Sequence, residues 1–204
     1  MRKYDSLLSY FLFYNDTVNE FKSKAHKERL RMTNHAAEMF NYHTWANQTL
    51  LGHVKTVPST VLHQDCNHSF PTIAHAFSHI YAVDMMWYLV LTGTSMQDAL
   101  AATMSMNRSV LDTLEEYEVK MAELSEQYKQ WLNSQEDLEQ TILLDNPFAG
   151  VRQTRLSEII MQVVTHGCYH RGNITTMLRQ QGYASTMNDY ALFWYQQPLV
   201  EETF

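Results

Sequence analysis

A chain of 204 residues is long enough for one domain with a full hydrophobic core. Its composition, 45% hydrophobic with 6 Gly and 4 Pro, favours long helices over a strand-and-turn architecture. The formal charge of −7 comes without any cluster of Lys and Arg, which argues against a nucleic-acid surface that must displace counterions.

Two cysteines, Cys66 and Cys168, are too few and too far apart for a secreted disulfide framework. The opening MRKYDSLLSYFLFYNDT has a basic start and a short apolar run. That run carries Tyr and Ser, and only NDTVNEFKSK follows, with no small-residue cleavage site. No stretch approaches the roughly 18 apolar residues that span a bilayer. A soluble, cytoplasmic protein with no membrane association is the expectation.

Residues 1–31 carry a weak pattern and are expected to form an N-terminal extension, as an extra helix or an arm, ahead of a domain at 32–204. Around 33–55, Met39, His43, Ala46, Leu50 and Val54 form one helical stripe, flanked by Phe40, Trp45 and Leu51 and stopped near Pro58. Around 71–92, Ile73, Phe77, Ile80, Val83 or Asp84, and Trp87 recur at helical spacing, with Gly93 as the stop. The clearest periodicity is Val110, Leu114, Tyr117, Met121, Leu124, Tyr128 and Trp131, with charged residues off the seam. The segment LEQTILLDNPFAGVRQTRL, with Asp145-Asn146-Pro147 between two apolar runs, fits a short hairpin or irregular crossover. From 155 to 181 a broad apolar face runs through Leu156, Ile159, Ile160, Val163, Val164, Ile174, Met177 and Leu178 to Gly182. These elements predict an all-α fold, a four-helix bundle with a long crossover between its third and fourth helices.

Position matters more than number among the 10 histidines. His166 and His170 are four apart, one turn on one helix face, so two imidazoles can address one ion. They lie in the series Val163, His166, His170, Ile174 and point inward, where unpaired imidazoles would forfeit hydrogen bonds. His79 lies on the stripe Thr72, Ala76, His79, Val83, Met86 and completes a three-histidine site from a neighbouring helix. His75, one turn earlier, is an alternative ligand, and His43 is a further inward candidate. His26, His35, His53, His63 and His68 read as surface residues. Cys168 reads as a packing thiol, and Cys66 with His63 and His68 makes at most an adventitious site.

Several phrases together resemble the DinB / YfiT-like superfamily of metal-binding four-helix bundles, from about Thr33 to Gln197. They are FNYHTWANQTLLGHV with Trp45, Ala46 and Asn47; PTIAHAFSHIYAVDMMWYL with Thr72, His79 and Trp87; THGCYHRGNITTMLRQQGY with Leu178, Arg179 and Gly182; and DYALFWYQ. The resemblance favours His79 over His75. It implies one divalent ion, nickel or zinc first and iron or manganese next, on His79, His166 and His170, and a homodimer. It also implies a metal-dependent thiol S-transferase or hydrolase acting on a small molecule, with a low-molecular-weight thiol such as bacillithiol as partner. The alternatives are a non-catalytic metal-binding or stress-related protein of the same fold, and a helical interaction module without metal. On the chemistry alone, a three-histidine site with an open position can lower the pKa of a bound thiol or water. Arg171, beside a ligand, is expected to pair with an acid on the surface rather than to anchor a substrate carboxylate.

Overall fold

The computed structural model describes residues 35–196; the expected N-terminal extension lies outside them. Helix α1 covers residues 35–54 and ends before Pro58, after which Ser59–His63 form a single 3-10 turn. Helix α2 (Ile73–Leu91) starts at Thr72, whose hydroxyl accepts from the His75 amide, and stops at Gly93, which takes φ 101°. Helix α3 (Met96–Arg108) starts at Ser95, whose side chain accepts from the Asp98 amide. Helix α4 (Leu114–Ser134) opens with a capping box of Thr113 and Glu116.

Strands β1 (Thr141–Asn146) and β2 (Gly150–Arg155) pair antiparallel, with Leu143 opposite Gln153. Their turn is closed by the Phe148 amide donating to Asn146 Oδ1 at 2.8 Å. Helix α5 (Leu156–Gln180) follows β2 directly and ends at Gly182, with φ 86°. A short helix α6 (Tyr190–Trp194) lies against α1, with Tyr42 edge-on to both Tyr190 and Phe193.

The chain is therefore mostly helical with one small two-stranded sheet, so the all-α expectation needs that qualification. The stops at Gly93 and Gly182 and the hairpin over Asp145–Pro147 fall where the sequence places them. Helix α3 was not anticipated, because only Met96, Ala99 and Thr103 on it are buried and its apolar stripe is short. The seam of α4 is buried at Leu114, Tyr117, Met121, Leu124 and Tyr128, but its last member is Leu132 and not Trp131.

The core has two halves, each fed by α1, α2, α4 and α5. One holds Phe40, Ala46, Met86, Trp87, Leu124, Tyr128, Ile160 and Val163. The other holds Leu50, Val54, Ile73, Phe77, Tyr117, Met121, Ile174 and Met177. Early residues of α1 and α5 share a half with late residues of α2 and α4, so the two pairs run antiparallel. Between the halves lies a polar belt: His43 and Asn47 on α1, Asp84 on α2 and Arg171 on α5, all buried. The histidine cluster sits at the edge of this belt.

Candidate metal centre

His79 on α2 and His166 and His170 on α5 meet with their ligand nitrogens within 4.8 Å of one another. His79 Nε2 and His166 Nε2 are 3.1 Å apart. Two nitrogens on one tetrahedral ion at about 2.0–2.1 Å would stand roughly 3.3 Å apart. The ring centroids of the three are 4.4 to 5.0 Å from each other. All three are half-buried, so one side of the cluster is reachable from solvent.

Neighbouring groups set the tautomers. His79 Nδ1–H donates to Asn107 Oδ1 at 2.7 Å, which leaves the lone pair of Nε2 facing the other two rings. Asn107 lies near the end of α3, so the unanticipated helix supplies the residue that orients a ligand. The Ser95-x-x-Asp98 start of that helix was a sequence signal that could have revealed it. Asn173 Nδ2 donates to His170 Nδ1 at 3.2 Å; turning that amide over would present Oδ1 to an Nδ1–H, as a ligating Nε2 requires. His166 Nδ1 is buried without a hydrogen-bond partner among the described residues.

Desolvation, followed by the fields of His170, His79 and His43, pushes His166 down to about 3. Desolvation and then His79 push His170 down to about 4. Both rings are therefore neutral at neutral pH, the state in which imidazole binds a metal. Converging lone pairs, an outer acceptor on His79 and neutral rings fit a divalent ion of the nitrogen-preferring kind. Phe70 flanks the cluster, 5.3 Å from His79 and 5.2 Å from His170 between ring centroids. Tyr169, edge-on to His170 at 4.9 Å, is exposed beside it.

The other sequence candidates fall elsewhere. His75 Nδ1 is engaged with Thr72 Oγ1 at 2.8 Å, at the start of α2. His43 is buried as expected but outside the cluster, with Nε2 2.8 Å from Asp84 Oδ2. Arg171 is not a surface residue paired with an acid: it is 1% exposed and donates to Asn47 Oδ1 and His43 Nδ1. Cys168 is exposed, so it is no packing thiol. Cys66 accepts from Gln181 Nε2 and makes no metal cluster with His63 or His68 among the described residues. His35 and His63 are exposed as expected, while His53 is half-buried and bonded to Ala184 O. His26 lies outside the described residues.

The DinB family profile matches residues 32–202. Protein DinB of Bacillus subtilis (strain 168) is 40% identical over 163 residues, which cover 79% of this chain and 95% of that protein. A crystal structure of a DinB-like protein from Bacillus cereus ATCC 10987 superposes with a TM-score of 0.54 at 17% identity. It covers 74% of this chain and 94% of the other, a likeness of fold. Among the described residues no helix is long and apolar enough to cross a membrane. On the match of profile and relative, the chain belongs to the DinB family.

Proposed function

We propose that the chain holds one divalent metal ion, nickel or zinc in first place, on His79, His166 and His170. We further propose that it uses the ion in a reaction on a small molecule, as a thiol S-transferase or a hydrolase. The observation that carries the reading is the convergence of three imidazoles on one point, with His79 oriented by Asn107. A fourth protein ligand would favour a purely structural site. The two histidines suited to that role are engaged elsewhere, His43 with Asp84 and His75 with Thr72. That leaves a position for a small molecule, in keeping with the solvent-facing side of the cluster.

Bound there, a divalent ion lowers the pKa of a thiol or water and supplies a nucleophile at neutral pH. The chain's own residues do the rest. Asn107 holds the His79 ring in one tautomer, and Phe70 keeps an apolar wall beside His79 and His170. We place this activity in the cytoplasm, in a homodimeric four-helix bundle that begins near residue 32, with no nucleic-acid or membrane partner.

The test is elemental analysis of tag-free protein purified without chelator, alongside His79→Ala and His166→Ala/His170→Ala variants. One equivalent of metal, lost in both variants, is expected. Assays of thiol transfer and of hydrolysis with the loaded protein then separate the two reactions. Full metal loading without turnover in either assay favours the alternative of a non-catalytic metal-binding protein. Failure to bind any candidate ion sinks the metal reading.

A further inference from the structure

The three clustered histidines are not the most deeply buried polar residues of the protein. On α5, Gly167 and Arg171 each follow one of the histidines by a single residue, and both are fully buried. Arg171 Nη1 donates to Asn47 Oδ1 at 2.9 Å and to His43 Nδ1 at 3.2 Å. A guanidinium has no acceptor, so His43 Nδ1 carries the lone pair and the ring proton is on Nε2. That proton is donated to Asp84 Oδ2 at 2.8 Å, and Asn47 Nδ2 stands 3.0 Å from the same ring nitrogen. A cation on α5 is thus joined through a histidine on α1 to a carboxylate on α2, five residues beyond His79. Helix α4 closes the set, with Tyr128 Oη donating to the Asp84 carbonyl at 2.7 Å.

Gly167 shows how tight the junction is. A Cβ built there would lie 2.3 Å from His43 Cε1, so α5 approaches the His43 ring where only glycine fits.

Stability alone does not account for this network. A buried charge pair commonly breaks even against well-packed apolar residues, because desolvation offsets the Coulomb gain. This one is also incompletely satisfied: Asp84 Oδ1, Arg171 Nε and Arg171 Nη2 are buried without a hydrogen-bond partner among the described residues, the guanidinium lying 5.5 Å from the centre of the Tyr42 ring. Apolar packing on either side of the belt tolerates small slips, whereas directional bonds between three helices do not.

The geometry of α5 ties the network to the histidines. Successive residues are about 100° apart around a helix axis. The rotation that sets Gly167 and Arg171 against α1 is therefore the rotation that aims His166 and His170 at His79. A one-residue slide of α2 past α5, about 1.5 Å, would break the Asp84–His43–Arg171 chain. It would also move His79 Nε2 by far more than the roughly 0.2 Å tolerance of a metal site.

We propose that His43, Asn47, Asp84 and Arg171 are positioning residues that set the rotation of α5 and its register against α2. They thereby fix the separation of His79 from His166 and His170. This rests on the metal reading above, and its test keeps the two apart.

The probes are zinc(II), titrated in competition with a chromophoric chelator, and cobalt(II), whose visible d–d bands report ligand angles and coordination number. The proteins are the full chain and the variants Asp84→Asn, His43→Gln and Asn47→Ser. Asn47→Ser is the mildest, and it keeps the test available if a charged-network variant does not fold. Tyr117→Phe is the control, because it removes a buried hydroxyl bonded to Ala74 O and Ser78 Oγ in the other core half.

The network variants are expected to bind zinc about tenfold more weakly, within the range reached by residues that touch neither partner of a coupled pair. Their cobalt bands should move as well. Tyr117→Phe should leave affinity and bands unchanged while lowering the melting temperature. Unchanged affinity and bands in every folded network variant, with the wild-type chain binding one equivalent, overturn the positioning role and leave the metal reading standing. A wild-type chain that takes up neither ion overturns both.

Discussion

Two glycines on α5, five residues apart, provide a sharp check on the packing described above. Replacing a helix-interior glycine by alanine stabilises by about 1 kcal/mol where space is open. At Gly172 nothing lies within 4 Å of the added Cβ, so Gly172→Ala should gain close to that amount. At Gly167 the Cβ falls 2.3 Å from His43 Cε1, 2.6 Å from His43 Nδ1 and 2.9 Å from Arg171 Nη1. Ordinary contact begins at 3.4 Å, so the ring must withdraw by more than an ångström. That movement disrupts its 2.8 Å bond to Asp84 and its 3.2 Å bond from Arg171. Each buried bond left open costs about 1–3 kcal/mol. After the propensity gain, a net loss of about 3 kcal/mol remains. At about 2–4 °C per kcal/mol for a domain of this size, Gly167→Ala should melt roughly 6–12 °C below wild type. Gly172→Ala should melt about 2–4 °C above it. Thermal unfolding of metal-free protein, followed by circular dichroism, reads both shifts. A Gly167→Ala protein as stable as wild type would refute the close docking of His43 on α5.

Three other outcomes are expected. Asn107→Ala removes the acceptor that fixes the His79 tautomer; chelator competition should show zinc bound about 10–100-fold more weakly, with little change in melting temperature. Thr113→Ala deletes the cap of α4, whose hydroxyl accepts from the Glu116 amide at 3.3 Å. Urea unfolding should give a loss of about 1 kcal/mol, and no loss would mean that the box does not form in solution. The Arg155 amide, then the Arg155 side chain, hold the Glu158 carboxyl down at about 2. A carboxylate depressed in the folded state stabilises above its unfolded pKa, near 4.3. The melting-temperature gap between wild type and Glu158→Gln, open at pH 6, should therefore close as pH falls from about 4.5 toward 2. Because the pair is solvent-exposed, added salt should narrow the gap; a gap that persists at low pH would argue for packing instead of charge.

Short-range physics made much of this protein legible in the chain itself. Helical stripes, the glycine stops at 93 and 182, the turn after Asp145 and the shared face of His166 and His170 all follow from backbone periodicity and conformational preference. Those properties belong to a few neighbouring residues and need no partner. The family resemblance singled out His79 over His75 for the same cluster.

What the sequence did not contain was the rotation of each helix about its own axis. His166 and His170 and their neighbours Gly167 and Arg171 are about 100° apart on α5, and apolar residues flank both pairs. Periodicity accordingly turned the histidines inward and left Arg171 on the surface. The mating of α5 with α1 reversed that order, burying Arg171 against His43 and Asn47 and leaving the histidines half-buried at the belt's edge. Helix α3, with its short buried stripe, drew its place from packing on α2 and delivered Asn107 to His79. Which face of a helix goes deepest is decided by the surfaces it meets, and those come together only in the folded chain.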